Sequence, residues 1–310
     1  MSEIVILSGK GGTGKTSVTA AFVELSKHLQ PVSRIVLVDA DVDAANLDLV
    51  LSPKILKKVE FLGGSIAVID HDLCSGCGVC QDVCRFDAVS ENEGIFQIDH
   101  IACEGCAACL YQCPTEAISL KEQLAGEWYK SEISAGTFFH AHLKPAQENS
   151  GKLVSIIKEK ARSIYDQGGY HLMLVDGPPG TGCPVISALS GADAALVVTE
   201  PTVAGEHDLK RALASTAHFG IKTFVCINKS DLYSEGVINI RKICKNKNIK
   251  ILGEIPFDLA VPRAMVQGKP VTNLYPDSNA SKAIEALWMS LNQELSDLAR
   301  YSSQLLELKI

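Results

Sequence analysis

Eight cysteines lie between Cys74 and Cys113, and they come in two copies of one spacing. Cys74, Cys77, Cys80 and Cys84 read C-x2-C-x2-C-x3-C, and Cys103, Cys106, Cys109 and Cys113 repeat the pattern 29 residues later. The echo extends beyond sulfur. Ile69-Asp70-His71 precedes the first set as Ile98-Asp99-His100 precedes the second, and Asp87-Ala88-Val89 is answered by Glu116-Ala117-Ile118. Thiolates at this spacing ligate metal, and four per site suit an iron–sulfur cluster or zinc. A second chemistry sits near the amino end. Gly9-Lys10-Gly11-Gly12-Thr13-Gly14-Lys15-Thr16 matches G-x4-G-K-T, after an apolar run and before helix-like sequence. Glycines there let backbone N–H groups converge on phosphate, Lys15 reaches the β- and γ-phosphates, and the Thr16 hydroxyl binds Mg²⁺.

Both groups need elements to hold them. Ile4 to Ser8, Arg34 to Asp39, His171 to Asp176, Ala194 to Thr199, Thr223 to Asn228 and Lys250 to Ile255 are short apolar runs of buried-strand type. Helix-like sequence runs from Lys15 to about Leu29. Continuous apolar strands separated by helices imply an α/β fold with a mainly parallel sheet covered on both faces. Polar residues fall just past the strand ends, where such sheets bind ligands. Between about Phe61 and Leu120 the pattern breaks, and cysteine and glycine density rises. The expected organisation is a discontinuous P-loop domain of residues 1–60 and 121–310, with a small α+β module inserted at 61–120.

Composition narrows the partners. A formal charge of −7 gives no footprint for nucleic acid, and 46% hydrophobic with 21% charged residues is ordinary for a globular chain. No stretch approaches the ~20 apolar residues of a membrane span. Met1 to Leu7 lacks the basic n-region of a signal peptide, so a cytoplasmic protein is expected. In a reducing compartment cysteines ligate metal in preference to forming disulfides.

The cysteine spacing is that of bacterial two-cluster ferredoxins. Three thiolates on one tight loop grip three irons, and the fourth comes from the opposite repeat. By that cross-over Cys74, Cys77, Cys80 and Cys113 hold one [4Fe–4S] cluster, and Cys103, Cys106, Cys109 and Cys84 hold the other. Two matched loops with the fourth cysteine at x3 favour this reading over a pair of zinc sites. Gly76 and Gly105 stand where backbone amides must approach cluster sulfides. Pro114 after Cys113 completes the usual ending, whereas Arg85 follows Cys84.

Lys10-Gly11-Gly12 resembles the deviant Walker A loop of the MinD/ParA/Mrp ATPases, relatives of the nitrogenase iron protein. Asp39-Ala40-Asp41 resembles their switch I, and Asp176-Gly177-Pro178-Pro179-Gly180 their switch II. With the cysteine insert, the whole looks like the MinD-superfamily ATPases that contain a ferredoxin domain. The resemblance implies ATP with Mg²⁺ and a nucleotide-sandwich homodimer in which Lys10 touches the partner's phosphates. It also implies that Asp41 orients the attacking water and that Asp176 stands near Mg²⁺ as the Walker B carboxylate. Independently, Asp41 lies just past the first strand after the P-loop helix, where phosphates sit; Asp43 and Asp48 read as turn formers. Asn228-Lys229-Ser230-Asp231 fits the guanine-reading N-K-x-D pattern. The resemblance nonetheless favours adenine, with Asn228 and the Pro256-Phe257-Asp258 turn flanking the base, and Asp231 could instead cap the next segment.

Other residues read as structural. Cys226 belongs to a core strand and Cys244 to a solvated helix. Cys183 follows Asp176 by seven residues, the offset of a cluster-ligating cysteine in the nitrogenase iron protein; without a second cysteine, a partly buried switch thiol is expected. His71 and His100 are expected to pack or hydrogen-bond near the clusters. His140 and His142 alternate on one face of a strand, and the pair alone makes no metal site. From Ala280 to Leu306 an apolar stripe of Ile284, Leu287, Leu291, Leu295 and Leu298 is accompanied by Glu285, Glu294, Asp297 and Glu307. This composition suits core packing or dimer contact and not a membrane surface. The leading expectation is nucleotide-gated redox or metallocluster work with a redox or cofactor-assembly protein partner. A positioning or scaffold ATPase with structural clusters, and a cluster carrier, are the alternatives.

Overall fold

Ile4, Val5, Ile6 and Leu7 offer water no polar face, so the strand they form belongs in the middle of a sheet covered on both sides. All four are buried in β1 (Ser2–Ser8), which lies between two other strands. The computed structural model describes residues 2–28, 34–145, 147 and 149–307. After β1 come α1 (Lys15–Ser26), β2 (Ile35–Asp39), α2 (Leu47–Leu51), β3 (Lys54–Ile69), α3 (Val79–Asp82), β4 (Val89–Asn92), β5 (Ile95–Ile98) and α4 (Ala108–Gln112). Next are β6 (Ile118–Ile133), β7 (Gly136–Leu143), α5 (Ser150–Tyr165), β8 (Leu172–Pro179), α6 (Cys183–Leu189), β9 (Ala194–Thr199) and α7 (Val203–His218). The chain ends with β10 (Lys222–Asn228), α8 (Ser234–Asn246), β11 (Lys250–Ile255), α9 (Ala260–Val266), α10 (Val271–Leu274) and α11 (Asn279–Glu307). The first helix stops at Ser26, and Leu29 lies outside the described residues.

Among the described residues one large sheet has the order β11-β10-β9-β1-β8-β2-β7-β6-β3. β1 runs parallel to β8 and β9, β10 to β9 and β11, and β2 to β7 and β8. The α/β fold and parallel sheet expected from the apolar runs are therefore present. β7 contains the strand read from the alternation of His140 and His142, whereas β3 and β6 were not foreseen as strands. β6 and β3 alternate half-exposed with polar residues, the mark of strands near a sheet edge, and give no continuous apolar signal.

The chain divides into two compact units, one of Met1–Lys58, Trp128–His142 and Ser150–Ile310, the other of Val59–Glu127 and Leu143–Asn149. β3 and β6 carry the chain from one into the other. In the first unit, Phe22 of α1 meets Trp288 of α11 with ring centroids 4.8 Å apart, and Ile284, Leu287, Leu291 and Leu295 are buried in the same core. The carboxy-terminal stripe thus packs inward. No helix among the described residues is long and apolar enough to cross a membrane. Cys226 is buried as expected; Cys244 is also buried, because it lies on the inward face of α8.

One buried ion group ties β1 to α5. The Glu3 carboxylate accepts from Lys158 Nζ at 2.8 Å and from Arg162 Nε at 2.6 Å, with the Glu3 and Lys158 side chains only 7% and 4% exposed. Burial pushes the Lys158 ammonium down from its usual range, and Glu3 opposes the shift. Removing one member of such a group strands the others. Lys158→Met is expected to lower stability by about 3 kcal/mol, measured by denaturant unfolding followed by tryptophan fluorescence.

The second unit is built twice over. Gly76 and Gly105, Gly78 and Ala107, and Asp87 and Glu116 are pairs at the repeat offset, and all six have positive φ between 51° and 80°. Asp70 N–H donates to Ala117 O at 2.7 Å, and Asp99 N–H donates to Ala88 O at 2.7 Å, so each repeat is hydrogen-bonded crosswise to the other. β4 and β5 form an antiparallel hairpin whose turn, Glu93-Gly94, has positive φ at both residues. Ala67, Ile69, Val89, Phe96 and Ile118 make a small core against which the cysteines pack. His71 and His100 are exposed, and neither lines a four-cysteine cavity.

Candidate nucleotide and metal sites

The loop after β1 is shaped by glycine where nothing else fits. Gly12 and Gly14 have φ of 79° and 97°, which turns successive amides inward. A Cβ at Gly9 would fall 2.2 Å from Cβ of Asp208. Asn228, at the end of β10, donates through Nδ2 to Thr13 O at 2.7 Å and pins the loop. α1 has no side-chain cap, so its first amides are left for an anion. Lys15 is buried beneath them.

β8 and β2 place two acids beside this loop, Asp39 and Asp176 being register partners on neighbouring strands. Asp176 accepts from Thr16 Oγ1 at 2.9 Å and from Thr19 Oγ1 at 3.0 Å. Burial pushes its carboxyl up to about 6, while the Lys15 ammonium pulls the other way. Asp39 is raised well above the usual carboxylate range by burial and by Asp176. It accepts from Asp41 N–H at 3.1 Å and Leu47 N–H at 3.3 Å, which fixes the loop between β2 and α2. Asp41 lies with Gly11, Gly12, Lys15, Thr16 and Pro178 around a cavity of about 500 Å³.

A second cavity of about 450 Å³ shares Gly12, Gly14, Ser17 and Met265 with the first and continues past Asn228, Lys229, Pro256, Phe257 and Asp258. Val261, Pro262, Met265 and Val266 of α9 give this end its apolar wall. Asp231 is not among the lining residues: its Oδ1 accepts from Phe257 N–H at 2.6 Å and holds the loop in place. Asp258 caps α9 through Ala260 N–H, at 2.9 Å.

Lys10 does not point into free space. It forms an ion pair with Glu200, which also binds Lys229 Nζ at 3.0 Å. Burial disfavours the Glu200 carboxylate, but the two ammonium groups outweigh it and hold its pKa below the usual range. Glu200 and Thr19 have no local motif in the sequence; Thr19 could have been found from its place one helical turn beyond Thr16.

The cysteines enclose two cavities. Cys74, Cys77, Cys80 and Cys113 line one, with Ile69, Phe96 and Pro114. Cys103, Cys106, Cys109 and Cys84 line the other, with Ala67, Phe86 and Val89. The fourth cysteine of each repeat therefore stands with the other repeat's three. Ala117 N–H approaches Cys113 Sγ at 3.3 Å, and Ala67 N–H approaches Cys103 Sγ at 3.5 Å. A Cβ at Gly105 would fall 2.0 Å from Ser65 O, so that turn admits glycine only. Cys183, at the start of α6, is exposed and not partly buried as expected.

A model of the CobQ/CobB/MinD/ParA nucleotide binding domain matches residues 4–271. An uncharacterised protein of Methanocaldococcus jannaschii is 35% identical over 293 residues, 94% of this chain and 96% of the relative. The cytosolic Fe-S cluster assembly factor NBP35 of Eremothecium gossypii is 32% identical over 162 residues, 46% of this chain and 48% of that protein. Among solved structures, the septum site-determining protein MinD of Pyrococcus horikoshii, complexed with Mg-ADP, has the same fold. Its TM-score is 0.60 at 18% identity, covering 96% of this chain and 98% of that one.

Proposed function

This chain belongs to the CobQ/CobB/MinD/ParA nucleotide-binding domain family, and on that premise we propose an ATPase whose homodimerisation and hydrolysis are coupled to iron–sulfur chemistry in its cysteine-rich unit. The observation that carries the proposal is the pair of cavities, each lined by four sulfurs drawn three from one repeat and one from the other. Four thiolates also suit zinc, but two matched C-x2-C-x2-C-x3-C loops are the spacing of cluster-binding ferredoxins. Apolar walls and N–H groups aimed at sulfur suit a [4Fe–4S] cluster. Cys74, Cys77, Cys80 and Cys113 would hold one, Cys84, Cys103, Cys106 and Cys109 the other, and each would supply one-electron transfer when bound. The exposed Cys77 and Cys106 put one edge of each site near solvent, where a protein partner could dock.

In the ATPase unit, the loop amides and Lys15 bind the phosphates, Thr16 and Asp176 would hold Mg²⁺, and Asp41 orients water toward the γ-phosphate. The apolar wall from Pro256 to Val266 takes the adenine face, and Asp231, engaged with Phe257, offers no guanine acceptor in the cavity. ATP is therefore the nucleotide. Lys10 serves the dimer only after leaving Glu200. Glu200→Gln weakens that resting pair by about 1 kcal/mol, so ATP-dependent dimerisation should tighten about fivefold. Light scattering or sedimentation at varied protein concentration reads the change.

The coupling itself is tested by spectroelectrochemical titration of the cluster-loaded protein with and without ATP. A potential that moves with nucleotide, and oxidation by a protein acceptor only when ATP is present, support it. An unmoved potential together with nucleotide-indifferent oxidation removes it. The likeness to an Fe-S assembly factor favours a second reading as a cluster carrier, in which part of the bound iron passes to an apo-acceptor.

A further inference from the structure

β7 carries His140 and His142 on one face, and α2 brings Asp48 to them. We propose that these three side chains bind a divalent first-row transition metal ion, using residues that line neither the nucleotide cleft nor the cysteine cavities. His142 Nε2 lies 3.4 Å from Asp48 Oδ2. One ring nitrogen of each histidine and one Asp48 oxygen all lie within 4.8 Å of one another. Bonds of about 2.0–2.2 Å from zinc to nitrogen or oxygen put tetrahedral donors roughly 3.3–3.6 Å apart. The His142–Asp48 edge is at that separation already, and His140 needs a movement of about 1 Å to complete the face.

His140 supplies the independent observation. His140 is 2% exposed, and its ring lies between Phe138, centroids 4.5 Å apart, and Tyr129, 4.9 Å apart. Nε2 meets Ser131 Oγ at 3.0 Å, whereas Nδ1 is buried with no hydrogen-bond partner. Such a nitrogen is costly unless something occupies it. A metal ion at Nδ1 accounts for it and fixes the tautomer, with Nε2–H donating to Ser131, the outer-shell arrangement that ligating histidines ordinarily have. Two imidazoles and one carboxylate select borderline ions such as Zn²⁺, Co²⁺ or Fe²⁺ over Mg²⁺ or Ca²⁺. The His142 side chain is 43% exposed, which leaves a coordination position open to water. An ion there would fasten β7 to α2, whose first residue, Leu47, donates its N–H to Asp39.

The test uses cluster-loaded protein in a Cys183→Ser background, so that no exposed thiol outside the clusters competes. It compares the parent with His142→Ala and Asp48→Asn after loading with ZnCl2 and desalting. The parent should retain one more zinc per chain than either variant, its unfolding midpoint should rise with added zinc, and both variants should bind at least about 100-fold more weakly. Equal retained zinc in all three proteins, or a midpoint that zinc leaves unmoved in the parent, overturns the site. Asp48→Asn is nearly isosteric and His142 half-exposed, and circular dichroism of each variant separates lost binding from lost fold.

Discussion

Asp41→Ala is expected to bind ATP as the parent does and to hydrolyse it about 10²–10⁴ times more slowly, the range for loss of a group that positions or activates the attacking water. Binding should survive because the phosphate contacts come from elsewhere: the loop amides, buried Lys15 and the uncapped start of α1. Hydrolysis should fail because Asp41 lines the cavity opposite them, on a loop that Asp39 shapes through its bonds to Asp41 N–H and Leu47 N–H. Lys15→Ala separates the two effects, since it should lose binding as well. Fluorescent-nucleotide titration and phosphate release measure both. Turnover by Asp41→Ala at the parental rate would remove the water-positioning role.

Paired cysteine replacements should decide which repeat feeds which cavity. With two clusters, the parent carries about eight irons, and either Cys113→Ala or Cys84→Ala should leave about four. The informative variants are double. Cys77 and Cys113 line one cavity, so replacing both should still leave about four irons. Cys77 and Cys84 line different cavities, so replacing both should leave close to none. Ligation within each repeat would reverse these two results, because Cys77 and Cys84 would then share a site. Iron and sulfide analysis with EPR of the reduced protein reads the count. The core of this unit is small, Ala67, Ile69, Val89, Phe96 and Ile118 with the cysteines, so protease resistance should fall with iron.

What could be read without coordinates was whatever acts within one turn or one strand. Val36, Leu37 and Val38 cannot face water in any arrangement, so β2 was visible, and the other central strands likewise. G-x4-G-K-T works through its own backbone, and each run of three cysteines closes on itself, so both were visible as chemistry. β3 and β6 were not, because strands near a sheet edge carry a mixed surface. Ala107 shows the same limit: only its repeat partner, Gly78, hints that it must adopt a left-handed conformation.

The sequence alone determined a parallel α/β sheet, a phosphate loop at the end of its first strand, and two matched sets of thiolates 29 residues apart. Only the tertiary structure decided which distant groups meet. Topology sets β8 beside β1 and β2 and so carries Asp176 to Thr16 and Thr19; it brings Glu200 to Lys10 and Asp48 to His142. The crosswise bonds of Asp70 to Ala117 and Asp99 to Ala88 bring Cys113 to the first three cysteines and Cys84 to the second three. None of these pairings has a local signal, since long-range contacts follow from strand order and packing and not from the spacing of neighbours along the chain.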